Sequence, residues 1–193
     1  MAGIKKTVRI NVKDMVYAVL LKDDSEGVEY GPIKPFAKAM QIQCTPGLAS
    51  GTIYGDGAKQ AVIAKATGFT VVADINKLNI DTRTEILGAR YEEGVGIDKI
   101  GDEPKEIALG YLVEQTENTA EYIWLLKGRA QPYGSTVQQQ TENINFSTDS
   151  ITVEFVPREH DGEMRRFADS ADSAFTKDKQ DKWFSSVPGT VGS

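Results

Sequence analysis

Cysteine and histidine each occur once, as Cys44 and His160. A single thiol closes no internal disulfide, so nothing here asks for an oxidising compartment. In "MQIQCTP" alternation puts Cys44 on one face with Ile42 and Met40, which predicts an inert core thiol. A lone imidazole cannot build a multi-histidine zinc site, and no cysteine cluster stands by to help it. Positive charge is also short: 22 Lys and Arg against 28 Asp and Glu leave a net charge of -6. Such a surface repels nucleic acid and anionic lipid instead of collecting counterion-release energy from them. Long apolar runs are missing too. The run Met15–Leu21, preceded by Asp14, is too short for a signal-peptide core with its cleavage site and far below a membrane span. Cytoplasmic synthesis is the expectation, and without secretion the sequon at Asn145 to Ser147 has no consequence.

Catalytic patterns are equally scarce. His160 sits in the turn-like "REHDG", with no G-x-S-x-G or other activated nucleophile to serve. "YGDGAKQ" lacks the Lys-Ser/Thr pair of a phosphate loop and is followed by strand-like sequence, so a hairpin turn at Gly55, Asp56 and Gly57 explains it better. "DSADSA" and "KDKQDK" miss the calcium-loop spacing and read as solvated charge. Adjacent carboxylates such as Glu92 with Glu93 fall in turns. The reading is a non-enzyme with no cofactor and no metal.

What the chain does have is alternation with period two. "VYAVLL" (16–21), "AMQIQCT" (39–45), "AVIAKATGFTVVADI" (61–75), "EIALGYLVEQ" (106–115), "EYIWLLKG" (121–128) and "ITVEFVPR" (151–158) all predict strands. Ile151, Val153 and Phe155 point one way, Thr152 and Glu154 the other, as in a half-buried antiparallel strand. Turn signals separate the runs, including "TPG", "YGDG" and "EEGVGID". Two short helices are expected. "NIDTRTEILG" has Asp81 or Thr82 as cap and Gly88 as stop; "TKDKQDKWFSSVPG" has Thr176 as cap and Pro188-Gly189 as stop. With 193 residues, the chain suits one domain, residues 1–193, mainly β, as a sandwich or barrel-like pair of packed antiparallel sheets. An N-terminal segment through Lys13, a polar loop 131–150 and a charged C-terminal arm from about 159 to 193 extend it.

One strand breaks the alternation. Tyr122, Ile123, Trp124, Leu125 and Leu126 are consecutive, and a strand apolar on both faces needs cover on both.

Taken in order, "VYAVLLKDDSEGVEYGPIKP", "TPGLASGTIYGDGA", the long alternating strand, "EILGARYEEGVG", "IALGYLV", "EYIWLLKGRAQP", "ITVEFVPR" and "DKWFSSV" resemble the major tail protein family of siphophages that infect Gram-positive bacteria. The resemblance spans nearly the whole chain; its most specific pieces are Tyr122–Gly128 and Trp183-Phe184. It implies a structural virion protein, made and assembled in the host bacterial cytoplasm. Its subunits would form hexameric rings, stacked into a hollow tube that conducts double-stranded DNA. The implied partners are further copies of itself, a tape-measure protein, and tail terminator and distal tail proteins, with no membrane. Phage, prophage and tail-like bacteriocin are not separated by it.

On that reading, strands 61–75 and 106–115 are expected to form an inner hairpin, with Thr67, Thr70, Asp74 and Glu114 as lumen-facing candidates. Packing between elements falls to Tyr122, Trp124, Leu126, Val153, Phe155, Trp183 and Phe184. An acidic or neutral lining would let DNA slide without sticking. The alternative is a carbohydrate-binding β-sandwich of a virion or cell surface, for which Trp124, Tyr133 and Trp183 would be exposed stacking platforms.

Overall fold

A computed structural model of the chain describes residues 7–56, 58–135 and 148–190. Its strands are β1 (Arg9–Asp24), β2 (Gly27–Tyr30), β3 (Lys34–Pro35), β4 (Ala39–Gly55), β5 (Ala58–Ile75), β6 (Arg90–Glu92), β7 (Val95–Ile97), β8 (Glu106–Gln115), β9 (Thr119–Ala130), β10 (Asp149–Phe155) and β11 (Arg165–Asp169). Helices α1 (Ile80–Leu87) and α2 (Lys177–Lys182) are short. The mainly β, antiparallel architecture with two short helices is as expected. Nine strands form one sheet in the order β2-β1-β8-β9-β10-β5-β4, with β3 added on β1 and β11 on β9; β6 and β7 form a separate hairpin. The end strands β2 and β4 do not pair, so no barrel closes among the described residues.

The long sheet curls around its main core. Met15 and Tyr17 of β1, Ile107 and Leu109 of β8, and Ile123 and Leu125 of β9 meet Val153 and Phe155 of β10, Val71 and Ile75 of β5, and Ile86 of α1. One sheet thereby supplies both layers. The β10 alternation holds, with Ile151, Val153 and Phe155 buried. Close approach decides the glycines at its edge: a Cβ on Gly68 would sit 2.3 Å from the Phe155 carbonyl oxygen, and one on Gly128 would sit 2.5 Å from the Phe155 ring.

The expected inner hairpin does not form. Strand β8 bonds to β1 and β9, whereas β5 bonds to β4 and β10, so both edges of each are already taken. Tight local connections win: a 3-10 turn at Thr116–Asn118 joins β8 to β9, and the β4–β5 turn falls at Gly55-Asp56 as predicted. "TPG" is no turn. Pro46 lies inside β4, tolerable because β4 is an edge strand, and Gly47 abuts a bulge. Another register shift, between Ala39 and Gln41, leaves Met40 exposed while Ile42 and Cys44 pack on the core.

Helix α1 starts after Asn79 and ends on left-handed Gly88, so Asp81 falls in its first turn and Thr82 is buried inside it. Thr176 occupies the N-cap position of helix α2, but its side chain makes no capping hydrogen bond, and the helix stops at Lys182, short of Pro188. The C-terminal stretch is no free arm over residues 165–190: it adds β11 to the sheet and folds α2 back over β9. Residues 9–13 of the N-terminal segment likewise belong to β1 and pair with β8. Most of the polar loop 131–150 lies outside the described residues.

Candidate functional site

The greasy strand is covered twice. Ile123 and Leu125 enter the main core, while Trp124 and Leu126 enter a second core with Ala18, Ala108 and Val187, flanked by Trp183 and Phe184. Trp124 is 0% exposed, and its indole N–H donates to the Trp183 carbonyl at 3.0 Å. Tyr122 stacks on Phe184 at 6.0 Å and meets Phe175 edge-on at 5.2 Å. Rings of this size each bury about 150–250 Å², enough to hold a six-residue helix that would not persist alone. Of the seven expected packing residues, six lie in or against these two cores, and Tyr122 packs on the flanking rings of Phe175, Trp183 and Phe184. The second cover comes from the chain's own C-terminus.

Two buried ion clusters fasten the turn 156–163 beneath that C-terminus. Lys127 Nζ donates to Asp23 at 2.8 Å and to Glu159 at 3.0 Å. Burial opposes the Asp23 charge, but Lys127 and the amides of Glu159 and His160 outweigh it and hold its carboxyl below the ordinary 3.8. Arg158, fully buried, donates to Asp161, Glu163, the Pro188 carbonyl and the Tyr30 hydroxyl. Burial pushes the Tyr30 hydroxyl up to about 12, although Arg158 pulls the other way. His160 serves this turn, its amide donating to Asp23 and its ring meeting the Asp24 carbonyl. The sequence gives no advance sign of either cluster, because their members are up to 136 positions apart.

The β4–β5 hairpin has the opposite character. Beyond the Gly47 bulge, residues 48–53 and 62–66 form a two-stranded ribbon that leaves the core, with Leu48, Ile53, Val62 and Ile63 all more than half exposed. A two-stranded ribbon is at best marginal in water without a partner. The body of the same hairpin presents a polar row on the sheet's outer side. Gln41, Gln43 and Thr45 of β4 stand beside Asp74, Val72 and Thr70 of β5, and these beside Ser150, Thr152 and Glu154 of β10. From β4 to β10 the row holds two carboxylates and no cation, and next to it Arg129 of β9 stands beside Glu154 and pairs with Glu106.

Of the four lumen candidates, Thr70 and Asp74 share this row. Thr67 is the extra residue of the β5 bulge opposite Gly47 and Leu48, and is exposed. Glu114 lies on β8, separated from β5 by β9 and β10, where Lys13 and Asn11 donate to it and Lys13 holds its carboxyl below the ordinary range. The sugar-platform reading loses its support: Trp124 is buried, and Tyr133 lies half-buried beneath the Arg83 guanidinium.

Open backbone edges among the described residues include those of the end strands β2 and β4, residues 9–13 of β1, and β11, whose pairing is with β9 only. Neighbours that complete such edges turn an aggregation liability into directed association. Among the described residues, no three metal-ligating side chains converge. Cys44 is half-buried, and burial pushes its thiol up.

A search among curated protein sequences finds no match. Among solved structures, the chain is similar to the PVC sheath/tube terminator of an extracellular contractile injection system in its extended state. That likeness has 11% identity and a TM-score of 0.40, over 86% of this chain and 99% of the other. Residues 41–185, well over half of the chain and spanning both the projecting ribbon and the doubly covered strand, match the family described as phage tail tube protein, and the chain belongs to that family.

Proposed function

We propose that this chain is the repeating subunit of a siphophage tail tube, closing into hexameric rings that stack around a channel for double-stranded DNA. The observation that carries the proposal is the ribbon of β4 and β5, with Leu48, Ile53, Val62 and Ile63 exposed and uncovered by the described residues. Neighbouring copies supply that cover, and open strand edges give each copy backbone groups to share. The polar row with Thr70 and Asp74 lines the channel, where its two carboxylates repel phosphate and Arg129, beside Glu154, is held by Glu106, which leaves DNA free to move.

Tape-measure, terminator and distal tail proteins remain the expected partners at the lumen and the two ends, and infection of a Gram-positive host is the expected setting. The test is negative-stain electron microscopy of the purified protein with concentration raised stepwise. Six-fold rings or hollow cylinders are expected. A protein that stays monomeric throughout, alone and with its partner tail proteins, removes the proposal.

A further inference from the structure

On this acidic molecule, one surface is basic. A groove of about 670 Å³ runs between β11 and α2, lined by Arg165, Phe167, Phe175, Lys179, Lys182 and Trp183, with Asp178 as its one carboxylate. Arg165 spends its charge on rings, lying 4.6 Å from the centre of Phe69 and 4.8 Å from that of Phe167. Lys179 reaches only the Ala174 carbonyl, and Lys182 has no carboxylate partner among the described residues. Phe167 is 68% exposed, and the Trp183 indole N–H is buried without an acceptor. Cations, bare rings and a donor lacking an acceptor together describe a seat for an acidic segment with apolar side chains.

The chain carries such a segment. The β6–β7 hairpin turns at Glu93 and Gly94, both with positive φ, and displays Glu93, and Glu92 paired with Arg90 of the same hairpin, beside exposed Tyr91 and Val95. It rests on its own chain through Gly96, against Ile80 and Thr84 of α1, and a Cβ added at Gly94 would meet nothing. Helix α1 buries Ile86 in the core on one face of β1, β8 and β9, whereas the α2 segment covers their other face. Hairpin and groove therefore cannot meet within one copy.

We infer that the β6–β7 hairpin of one copy docks in the β11–α2 groove of the next. The carboxylates of Glu92 and Glu93 face Lys179 and Lys182, and Tyr91 and Val95 lie on Phe167 and Trp183. A knob and its socket on opposite faces make a head-to-tail contact, which propagates into rings or filaments instead of stopping at a dimer. The inference deepens the tube reading and rests on it for the setting of the contact.

The experiment is a charge swap. Glu92→Lys with Glu93→Lys, and separately Lys179→Glu with Lys182→Glu, change exposed side chains and are checked for unaltered circular dichroism. Each pair is expected to lower the pelletable assembly about tenfold or more at physiological salt, and the four changes together to restore it. Assembly of either pair at the wild-type level, or no recovery in the combined protein, overturns the contact. A second measurement works without tubes: Glu93→Cys with Lys182→Cys, in a Cys44→Ser background, is oxidised in concentrated solution. Disulfide-linked multimers support the contact even where no tube ever forms, an outcome that removes only the tube reading. A protein that stays uncrosslinked overturns the contact, whatever the tubes do.

Discussion

Strand β9 and the outer half of the β4–β5 hairpin are both rich in large apolar residues, yet their fates are opposite. Trp124 on β9 is 0% exposed, while Val62 on β5 is 55% exposed. Composition does not separate them; cover does. On β9 the chain brings its own lid, the aromatic segment Phe175–Val187, and finishes the job within one molecule. On the ribbon the described residues bring none, which leaves the same hydrophobic driving force available for contacts between molecules. A tail tube subunit has to be a stable monomer first and an incomplete one second, and these regions divide those duties.

The largest expected effect breaks the covered side. Trp124→Ala removes a buried indole touching both Phe184 and the Trp183 carbonyl, and the monomer is expected to lose about 3–5 kcal/mol in urea unfolding. Because the lid rests on that ring, residues 175–187 should also lose amide-exchange protection before the rest of the sheet unfolds. A loss below about 1 kcal/mol would mean that the lid is not held by β9.

Next comes the fastening below the lid. Lys127→Ala leaves Asp23 buried beside Glu159 without its cation, at an expected cost of about 3 kcal/mol. Asp23 also sets a sign with pH. Its carboxyl titrates below the ordinary 3.8 in the folded state, so the unfolded chain binds the proton first on acidification. The stability it adds is fully present well above pH 3.8 and is lost as pH falls below that value. Asp161, also held below 3.8 against the pull of burial, acts in the same direction. Chemical denaturation at a series of pH values should therefore show a decline below about pH 4 that is shallower in Asp23→Asn. An equal decline in both proteins would detach the ion cluster from acid stability.

A middle-sized effect tests where cover ends. Gly68 is the last point at which β5 touches the core, and a methyl there meets the Phe155 carbonyl at 2.3 Å. Gly68→Ala should cost about 1–3 kcal/mol. Gly51→Ala, out on the ribbon, would meet nothing within 4 Å and should cost well under that.

The covered region was legible in the sequence because its signals are local. The strand at 106–115 coincides with β8, β10 alternates as read, and five adjacent apolar residues announced a strand with two packed faces. Strand β11 was hidden, since "RRFAD" offers one large apolar side chain among charges and earns its place by pairing with β9. The β6–β7 hairpin was hidden as well, because "EEGVGID" reads as a turn and forms only three pairs. Strand β4 ran ten residues past its predicted end, through a proline that an edge strand accepts. Pairing of β5 with β8 failed for a different reason: alternation states which residues share a face and is silent on which strands are neighbours. The lumen candidates scattered with it, Thr70 and Asp74 landing on one row and Glu114 elsewhere.

The smallest expected change in the monomer makes the sharpest division between the two regions. Val62 and Ile63 face water in the isolated chain, so replacing both with Lys removes no intramolecular burial and should move the urea midpoint by no more than about 0.5 kcal/mol. In the proposed tube a neighbour would cover the same two side chains, and two lysines in that contact would add desolvation and repulsion of several kcal/mol per interface. Sedimentation and negative-stain images should then show a folded monomer that no longer forms rings or cylinders at concentrations where the wild type does. Normal assembly by this variant would show that the ribbon's exposed apolar residues are not what neighbouring copies cover. A lowered midpoint would show instead that the ribbon is part of the monomer's own core, and the contrast between covered β9 and uncovered β4–β5 would lose its physical basis.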